Sequence, residues 1–400
     1  MRKLASTLLA TGVIASAVAA SSVITAVKVD SNIDRVNYNS SVWKSAKFST
    51  VTLYPQTTIK FNDKKANKLN ENNKAIEAQV AAIYNDSKIA FMVGWKDGTK
   101  NIQRGYKTDV YADGFAVQFA SDYSNPKTLP YIGMGSDGRP VVIHLQKEAF
   151  GLYEPNGNGD VVHQVNPNQT HLFNKDLQNF NKKVKKLASN DYERSFVGEG
   201  FRSMTEIKDG SNKSYSRIGY AGKGWMGTVS RPLKDEYVNL NSAAIPVAIA
   251  IWDGDKMGRN GLKHLTSWTA VKLEGKEGGE DLISALSSDV QGDVAKGKEA
   301  VANNGCVGCH QIEPTDAVSL MGPSLTNIGG FATADYIRES LVNPSAVVVP
   351  GYNRNAHSNY AWYNIEGGKR VSAMTDYSWL EKADLDNIVA YLKTLKAEVK

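Results

Sequence analysis

The sequence predicts a multidomain protein in which an antiparallel β-sandwich is followed by a smaller all-α domain. Between about residues 27 and 273, short stretches of alternating apolar and polar residues recur between clusters of Gly, Asn, Asp and Pro. From residue 293 onward, apolar residues recur at helical spacing instead. These patterns are typical of strands and of amphipathic helices, respectively. A chain of 400 residues is long enough to bury a core in each part.

The strand-like stretches are short and frequent, as expected for a sandwich or a barrel. They are Phe48–Leu53, Ile89–Gly94, Gly114–Phe119, Pro140–Leu145, Thr228–Val229 and Val247–Trp252. The Asn- and Lys-rich stretch 166–190 interrupts them. We interpret it as a solvated insertion, either a loop or a short helix.

Residues 274–292 are rich in Gly, Glu and Lys, which predicts a linker between the two domains. Beyond the linker, a helix is expected to begin near Val294 and to run toward the two cysteines. Thr333 is a candidate N-cap for a second helix that ends at Leu341, before Pro344. A third helix is predicted near the C-terminus. Its apolar face consists of Leu385, Ile388, Val389, Leu392 and Leu395.

Residues 1–20 have the three parts of a secretory signal peptide. A basic start, Arg2 and Lys3, precedes a short apolar stretch and the small residues of a cleavage pattern. An uncleaved membrane anchor is the alternative, but the stretch is rich in Ala, Ser and Thr and would be a poor bilayer span. Cleavage after Ala19 or Ala20 is favoured. We therefore expect a periplasmic protein without a stable membrane span.

The charge and the cysteine content narrow the function classes. The formal net charge is +6, without a dense cluster of Lys and Arg. This argues against a nucleic-acid partner and fits a surface that attracts an acidic protein. The chain has 2 cysteines, which are too few for a disulfide framework if both are used for another purpose.

The segment Cys306-Val307-Gly308-Cys309-His310 has the C-x-x-C-H spacing that is specific for covalent attachment of haem. Two thiols on one turn can reach the two vinyl groups of a single porphyrin, and the next residue then lies under the iron as an axial ligand. A structural zinc site would need further ligands, and the chain has no second cysteine pair. A thioredoxin-like site would follow a strand, whereas a helix is predicted here. We therefore expect one haem c, attached at Cys306 and Cys309 and ligated by His310.

Residues 289–400, which surround this motif, resemble class I-like cytochromes c, an all-α family. The resemblance implies that a Met from a later loop is the second ligand of the haem c iron. Met374 stands at the expected position, and Met321 and His357 are its rivals. The stretch Gly322-Pro323-x-Leu325 resembles the family's loop that supports the proximal His through a carbonyl. This makes Met321 a neighbouring packing residue and favours Met374.

The strand-rich part lacks the Ser-His-Asp order, the Gly-rich phosphate loop and the carboxylate spacing of common catalytic or metal sites. An ordered set of segments nevertheless resembles the ethylbenzene dehydrogenase γ-subunit family, which includes the γ subunits of dimethylsulfide dehydrogenase, chlorate reductase and selenate reductase. The resemblance spans about residues 40–273. Its segments are Val42-Trp43-Lys44, Asp113–Phe119, Tyr131-Ile132-Gly133-Met134-Gly135, Ser230-Arg231-Pro232-Leu233, Ile251–Gly254 and Arg259-Asn260-Gly261-x-Lys263.

This second resemblance implies a haem b inside the sandwich, held by one Met and one Lys. Met134 matches the Met, and the Gly that follows it would let the backbone approach closely. Lys263 is the best match for the Lys, with Lys256 and Lys223 as rivals. The histidines of this part remain alternatives for either ligand; they are His144, His163, His171 and His264.

The chemistry of lysine sets a condition on this ligand. Only the neutral amine can bind iron, and deprotonating an ordinary Lys at pH 7 costs roughly 4–5 kcal/mol. Burial against an apolar haem face reduces that cost because it disfavours the charged form. The ligand Lys is therefore expected to be buried, and a Lys in open solvent is excluded.

Together these features predict a periplasmic electron-transfer protein that relays single electrons between a haem b and a haem c, with residues 274–292 as the tether. The family resemblance implies a partner, the iron–sulfur subunit of a molybdoenzyme of the dimethylsulfoxide reductase type. Soluble or membrane-bound respiratory carriers would exchange electrons with the other end. The chain would then be an electron-transfer subunit rather than an enzyme.

Two other classes of function stay open on the sequence alone. A haem with an open coordination position could act as a peroxidase or an oxidase, which six-coordinate haems would disfavour. Alternatively, the chain is a monohaem cytochrome c whose sandwich holds no haem and binds a partner protein or a carbohydrate.

Overall fold

The computed structural model describes most of the chain between Val23 and Lys400. The described residues are 23–104, 110–150, 192–201, 203–207, 214–313 and 320–400. The expected signal peptide 1–20, the expected insertion 166–190, and His163 and His171 lie outside the described residues.

The N-terminal part consists mainly of β-strands. In chain order they are β1 Val23–Lys28, β2 Phe48–Pro55, β3 Ile76–Tyr84, β4 Lys88–Lys96, β5 Gln103–Arg104, β6 Gly114–Ala120, β7 Val141–Lys147, β8 Ala149–Phe150, β9 Tyr192–Gly198, β10 Thr205–Glu206, β11 Tyr215–Tyr220, β12 Gly224–Pro232, β13 Ala244–Trp252, β14 His264–Leu265 and β15 Thr269–Leu273. A C-terminal hairpin adds β16 Tyr363–Glu366 and β17 Lys369–Ser372.

Thirteen of the described strands form one sheet, in the order β10-β9-β7-β6-β13-β14-β2-β3-β4-β12-β11, with β1 and β15 attached beside this path. The sheet folds over on itself. The ring of Phe91 in β4 packs 5.7 Å from that of Phe119 in β6, and Trp95 lies 5.9 Å from Phe115 in the same way. The predicted β-sandwich is therefore confirmed. Its pairs are mostly antiparallel, but β1 runs parallel to both β3 and β15.

Strand β13 lies in the middle of this arrangement, between β6 and the β14–β15 segment. All nine of its residues are buried. Because both of its faces are covered, its sequence is a continuous apolar run rather than an alternating one. This explains why the stretch Val247–Trp252 is so apolar.

Helices dominate the C-terminal part. The helices of the described chain are α1 Lys64–Leu69, α2 Glu280–Ser287, α3 Val294–Asn303, α4 Ile328–Phe331, α5 Ala334–Val342 and α6 Lys382–Thr394. The predicted all-α cytochrome-like domain is thus present, with the β16–β17 hairpin as an addition. Within the described ranges, no helix is both long and apolar enough to cross a membrane.

Side-chain caps explain where two of these helices begin. The Asp293 carboxylate accepts hydrogen bonds from the first turn of α3, and the Thr333 hydroxyl accepts one from the Tyr336 N–H at 3.1 Å. The predicted helix starts near Val294 and after Thr333 are confirmed. Helix α3 crosses α6 at Gly297, where a side chain would collide with the Asn387 carbonyl.

The expected linker, 274–292, contains helix α2. This helix packs against β13 and β15 of the sandwich, and its Leu282 side chain is buried. The segment is therefore not a fully extended connection. The division of the chain into a sandwich of residues 27–273, a linker and a domain of residues 293–400 stays a prediction, and β1 begins four residues before its first boundary.

The sandwich layers should be sensitive to added volume at Gly227 of β12. A Cβ atom there would overlap the ring of Phe115, which is fully buried and also contacts Trp95. We expect Gly227→Ala to lower the free energy of unfolding by about 1–3 kcal/mol, because the core must overpack. Chemical denaturation measures this. Gly98→Ala, where a Cβ atom meets nothing within 4 Å, is the matched control; equal stability of the two variants would contradict the packing of the two layers.

Candidate haem centres

A cavity in the C-terminal part collects the residues of the C-x-x-C-H motif. This C-terminal cavity has a volume of about 250 Å³ and is lined mainly by α3, α5, α6 and the loops between them. Cys306, Cys309 and His310 line one part of it, and Met321 and Met374 also border it. The structure therefore brings all of the sequence-predicted haem c residues to one apolar space.

The motif itself is a single tight turn. Gly305 ends helix α3 with φ 71°, and Cys306–Gly308 forms a turn of 3₁₀ helix. The carbonyl of Cys306 accepts hydrogen bonds from the N–H groups of Cys309 at 3.2 Å and of His310 at 2.9 Å. The short spacing thus places both thiols and the imidazole beside one cavity, as covalent haem attachment requires.

The ring of His310 is held in a defined orientation. Its Nδ1 lies 2.8 Å from the carbonyl oxygen of Pro323, and since a carbonyl can only accept, Nδ1 carries the hydrogen. This is the support expected from the Gly322-Pro323-x-Leu325 loop. Burial lowers the pKa of His310, so the ring is neutral. Nε2 is then the free lone pair for a metal.

Gly322 allows the supporting loop to lie against the His310 ring. A Cβ atom at Gly322 would stand 3.0 Å from Cε1 of the imidazole. Met321 directly precedes this glycine, and the residue is 41% exposed. Met374 follows the β16–β17 hairpin and is half-buried at the same cavity. Met321 and Met374 both line the cavity, whereas His357 is not among the lining residues.

A second cavity, of about 110 Å³, lies within the sandwich. This sandwich cavity brings together Met134 and Lys263, which are far apart in the sequence. Apolar side chains form most of its wall, including Ile132, Ile143, Leu145, Trp252 and Leu265. The two residues that the family resemblance assigned to haem b therefore border one mostly apolar space.

The backbone of Met134 is in an unusual conformation. Its φ of 80° lies in the left-handed region, which non-glycine residues seldom occupy. The adjoining Gly135 has φ 89°, and a Cβ atom there would lie 2.7 Å from the Gly198 carbonyl oxygen. Local strain of this kind concentrates at functional sites. The structure thus gives an independent reason to regard Met134 as functional.

Lys263 meets the condition that iron coordination sets. The residue is only 7% exposed, and its Nζ lies 5.2 Å from the centre of the Trp252 ring. Burial, together with the nearby charge of Lys147, lowers the pKa of Lys263 to about 7. Of its rivals, Lys223 is exposed and Lys256 is only half-buried and outside this cavity.

Lys263 also borders a much larger space. A polar cleft of about 840 Å³ lies between the sandwich and the C-terminal part, with Lys263, His264 and Asn327 among its lining residues. Small-molecule sites usually enclose about 300–1,000 Å³. The sandwich cavity alone falls short of that range, and Lys263 is a residue that it shares with the cleft.

A second buried lysine in the sandwich cavity was not predicted from the sequence. Lys147 is 8% exposed, and its Nζ lies 5.3 Å from the Trp252 ring centre. Burial lowers the pKa of Lys147 to about 8, although the charge of Asp113 opposes the shift. A sequence signal for Lys147 is the alternation along β7, which puts it on the same face as Ile143 and Leu145; whether this face lines a cavity depends on the fold.

The described histidines do not reach the sandwich cavity. His144 lies on the opposite face of β7, with Nε2 accepting from Arg231 at 3.3 Å and Nδ1 at 2.9 Å from the Ser195 hydroxyl. His264 faces the cleft and donates from Nε2 to the Lys74 carbonyl at 3.0 Å. Neither residue is placed to substitute for Met134 or Lys263.

Three carboxylates outside both cavities also lie close together. Oxygen atoms of Asp97, Asp113 and Asp253 are all within 4.8 Å of one another. The Asp113 carboxylate accepts hydrogen bonds from the Gly254 N–H at 2.7 Å and the Asn101 N–H at 2.8 Å, so it joins two loops. Burial raises the pKa of Asp113 to about 7. Sequence spacing gave no sign of this group.

Comparisons with solved structures show only weak likenesses. A family 9 carbohydrate-binding module from Caldicellulosiruptor kristjanssonii in complex with glucose is 8% identical, with a TM-score of 0.29, covering 64% of this chain and 97% of that one. The same module in complex with cellotriose is also 8% identical, with a TM-score of 0.30 and coverages of 64% and 95%. Scores this low carry no argument about the present chain. No curated protein matches it.

Family models give a clear assignment. The model described as ethylbenzene dehydrogenase matches residues 40–264, which is more than half of the chain and includes Met134 and Lys263. The model described as cytochrome c matches residues 294–396, which contain the C-x-x-C-H motif and Met374. The chain therefore belongs to the ethylbenzene dehydrogenase family, carries a fused cytochrome c domain with covalent haem c, and is a haem-containing electron-transfer protein.

Proposed function

We propose that this protein is a dihaem electron carrier, with haem c in the C-terminal cavity and haem b at the sandwich cavity. The observation that carries the proposal is the meeting of Met134 and Lys263. Two residues distant in sequence border one apolar cavity, the first with a strained backbone and the second with a buried amine. A thioether and a neutral amine are both able to ligate haem iron, so the donor set fits the group.

Each residue has a defined task at the haem c centre. Cys306 and Cys309 would hold the porphyrin covalently, and His310 would offer Nε2 while Pro323 fixes its ring. Met374 would supply the second ligand, and a thioether in that position raises the reduction potential. The haem supplies one-electron chemistry when bound, whereas the protein orients the ligands and excludes water.

At the haem b centre, the protein must keep a lysine amine neutral. The apolar wall around Lys263 disfavours its ammonium form, and the neighbouring Lys147 adds repulsion. The Met134 turn presents the thioether from another part of the wall. With two protein ligands the iron would be six-coordinate, which supports electron transfer rather than the peroxidase or oxidase alternative.

The setting of this carrier is proposed to be the periplasm, after cleavage of the signal peptide 1–20. Its electron partner is proposed to be the iron–sulfur subunit of a molybdoenzyme of the dimethylsulfoxide reductase type, with soluble or membrane-bound respiratory carriers at the other end. Family membership and the resemblance of the sandwich support this proposal. Both cysteines belong to the haem motif, so an iron–sulfur cluster has to be supplied by the partner.

The first prediction is the haem content of the protein expressed with its signal peptide in a host that matures c-type cytochromes. A pyridine haemochrome spectrum should show one b-type and one c-type haem per chain, because each cavity has its own ligand pair. Acid–acetone extraction should remove the b-type haem only, since Cys306 and Cys309 retain the other. A spectrum with c-type haem alone would refute the dihaem proposal.

The second prediction concerns Met134. We expect Met134→Leu to abolish or shift the b-haem absorption bands and to leave the c-haem bands intact, because leucine keeps the volume but has no sulfur donor. Met92→Leu is the matched control, since Met92 is buried in β4 and does not border the sandwich cavity. Unchanged b-haem bands in the Met134 variant would show that this assignment is wrong.

The third prediction follows from the buried amine of Lys263. Without haem b, the folded protein must bury this group as a cation below about pH 7, whereas the unfolded chain keeps it protonated up to about pH 10.5. Between these values the unfolded state binds the extra proton, so the stability of the wild type rises with pH. Lys263→Met should therefore raise the free energy of unfolding by roughly 3–5 kcal/mol at pH 6, and by much less at pH 10.

Urea denaturation of the protein freed of haem b, at both pH values, measures this difference. Lys223→Met is the control, because Lys223 is exposed and its replacement should change stability little at either pH. A Lys263 variant with the same pH dependence as the wild type would contradict the burial of this amine.

A further inference from the structure

One turn of chain borders both cavities. Tyr131 lines the C-terminal cavity, whereas Ile132 and Met134 line the sandwich cavity. The turn is closed by a hydrogen bond of 3.0 Å from the Gly135 N–H to the Tyr131 carbonyl. Even a fully extended chain spans at most about 11 Å over three residues. Where this turn lies, the wall between the cavities is therefore no thicker than the turn.

Aromatic side chains from the C-terminal part pack directly onto the turn. The Tyr131 ring lies 5.2 Å from that of Tyr336 in α5 and 5.8 Å from that of Tyr352. Tyr131 is 2% exposed and its hydroxyl is 3.0 Å from that of Thr58. The contact is thus a buried extension of one apolar core that includes side chains from both parts of the chain.

Glycines allow the backbones of the two parts to meet. Gly351 has φ 84°, and a Cβ atom there would overlap the carbonyl of Phe201 in the sandwich part. Gly330 of α4 faces Tyr54 of β2 in the same way, and a Cβ atom there would overlap its ring. Close approaches of this kind at two separate segments are features of a packed interface rather than of two tethered bodies.

Ion pairs flank the turn on its C-terminal side. Arg139 donates from both terminal nitrogens to the two carboxylate oxygens of Glu339 in α5, each at 2.7 Å. Arg370 donates to Asp137 at 2.8 Å, and the Asp137 N–H donates to the Val348 carbonyl at 2.9 Å. The Arg139–Glu339 pair is bidentate and mostly buried, which is the stronger kind of ion pair.

We propose that the cytochrome c domain is permanently docked on the sandwich, that the turn Tyr131–Gly135 is the shared wall through which one electron passes between the two haems, and that the Arg139–Glu339 pair holds this arrangement. The inference rests on the dihaem function proposed above. The step itself would oxidise one ferrous iron and reduce one ferric iron, with no bond made or broken. Tunnelling slows exponentially with distance, so docking keeps transfer fast without a search by a tethered domain.

The test uses the full dihaem protein. A flash-generated flavin radical reduces one haem, and the later redistribution of the electron is followed at the separate absorption bands of the b and c haems. For the wild type we expect a rate constant that is independent of protein concentration and of added glycerol. Hydrogen exchange monitored by mass spectrometry supplies the second readout, at the Asp137 and Ala75 amides, which donate to Val348 and Glu398 across the interface.

Glu339→Arg tests the ion pair. Placing two arginines together should slow the redistribution roughly tenfold or more and speed exchange at the Asp137 amide, because a partly buried charge is left unpaired. The double variant Arg139→Glu, Glu339→Arg should partly restore the redistribution rate and the protection of the Asp137 amide. Full recovery is not expected, since Arg139 also donates to the Thr128 carbonyl. Glu299→Arg is the control, because Glu299 is exposed on α3 and has the same change of charge.

Three results would each contradict a different part of the proposal: the docking, the role of the ion pair and the dihaem function. A wild-type rate that falls in proportion to glycerol viscosity, or rapid exchange at both interface amides, would overturn the docked arrangement. A Glu339→Arg protein with wild-type rate and protection, or a swap that recovers nothing, would overturn the role of this ion pair. If the haemochrome spectrum shows no haem b, the dihaem function fails instead, and the amide protection still tests docking by itself.

Discussion

The turn Tyr131–Gly135 is the constraint on which the rest of the site depends. It forces Met134 to a positive φ, brings Gly135 against the Gly198 carbonyl and places Tyr131 among aromatic rings of the cytochrome c domain. A relaxed backbone at Met134 would move the thioether and the shared wall together. Strain at this one position is therefore coupled to both proposed haem centres, and the buried contacts on each side of the turn hold it in place.

The two buried lysines reduce the stability of the protein at a proposed functional site. Burial against the apolar wall disfavours the ammonium forms of Lys263 and Lys147, and the charge of Asp113 offsets this only in part for Lys147, so both residues lower the stability of the protein without haem. Coordination to iron would offset this loss of stability for Lys263. We expect haem b to contribute to folding for this reason, and not only to electron transfer.

Local signals in the sequence predicted most of the elements and one of the sites. The helical spacing from Val294 onward predicted helix α3, and the resemblance of the loop after Met321 to that of the cytochromes c predicted the carbonyl partner of His310. Lys147 was missed because the alternation along β7 shows that it shares a face with Ile143, but not that this face lines a cavity. The composition of residues 274–292 indicates flexibility and says nothing about docking, which depends on contacts such as Arg139–Glu339 between distant segments.

The central claim is that one rigid chain holds two iron centres on opposite sides of a single turn. Crystals of the fully loaded protein, measured at the iron absorption edge, would locate each iron in an anomalous difference map. We expect two peaks per chain, one between His310 and Met374 and one between Met134 and Lys263, with Tyr131–Gly135 between them. A single peak beside His310, or a second peak away from Met134, would contradict it.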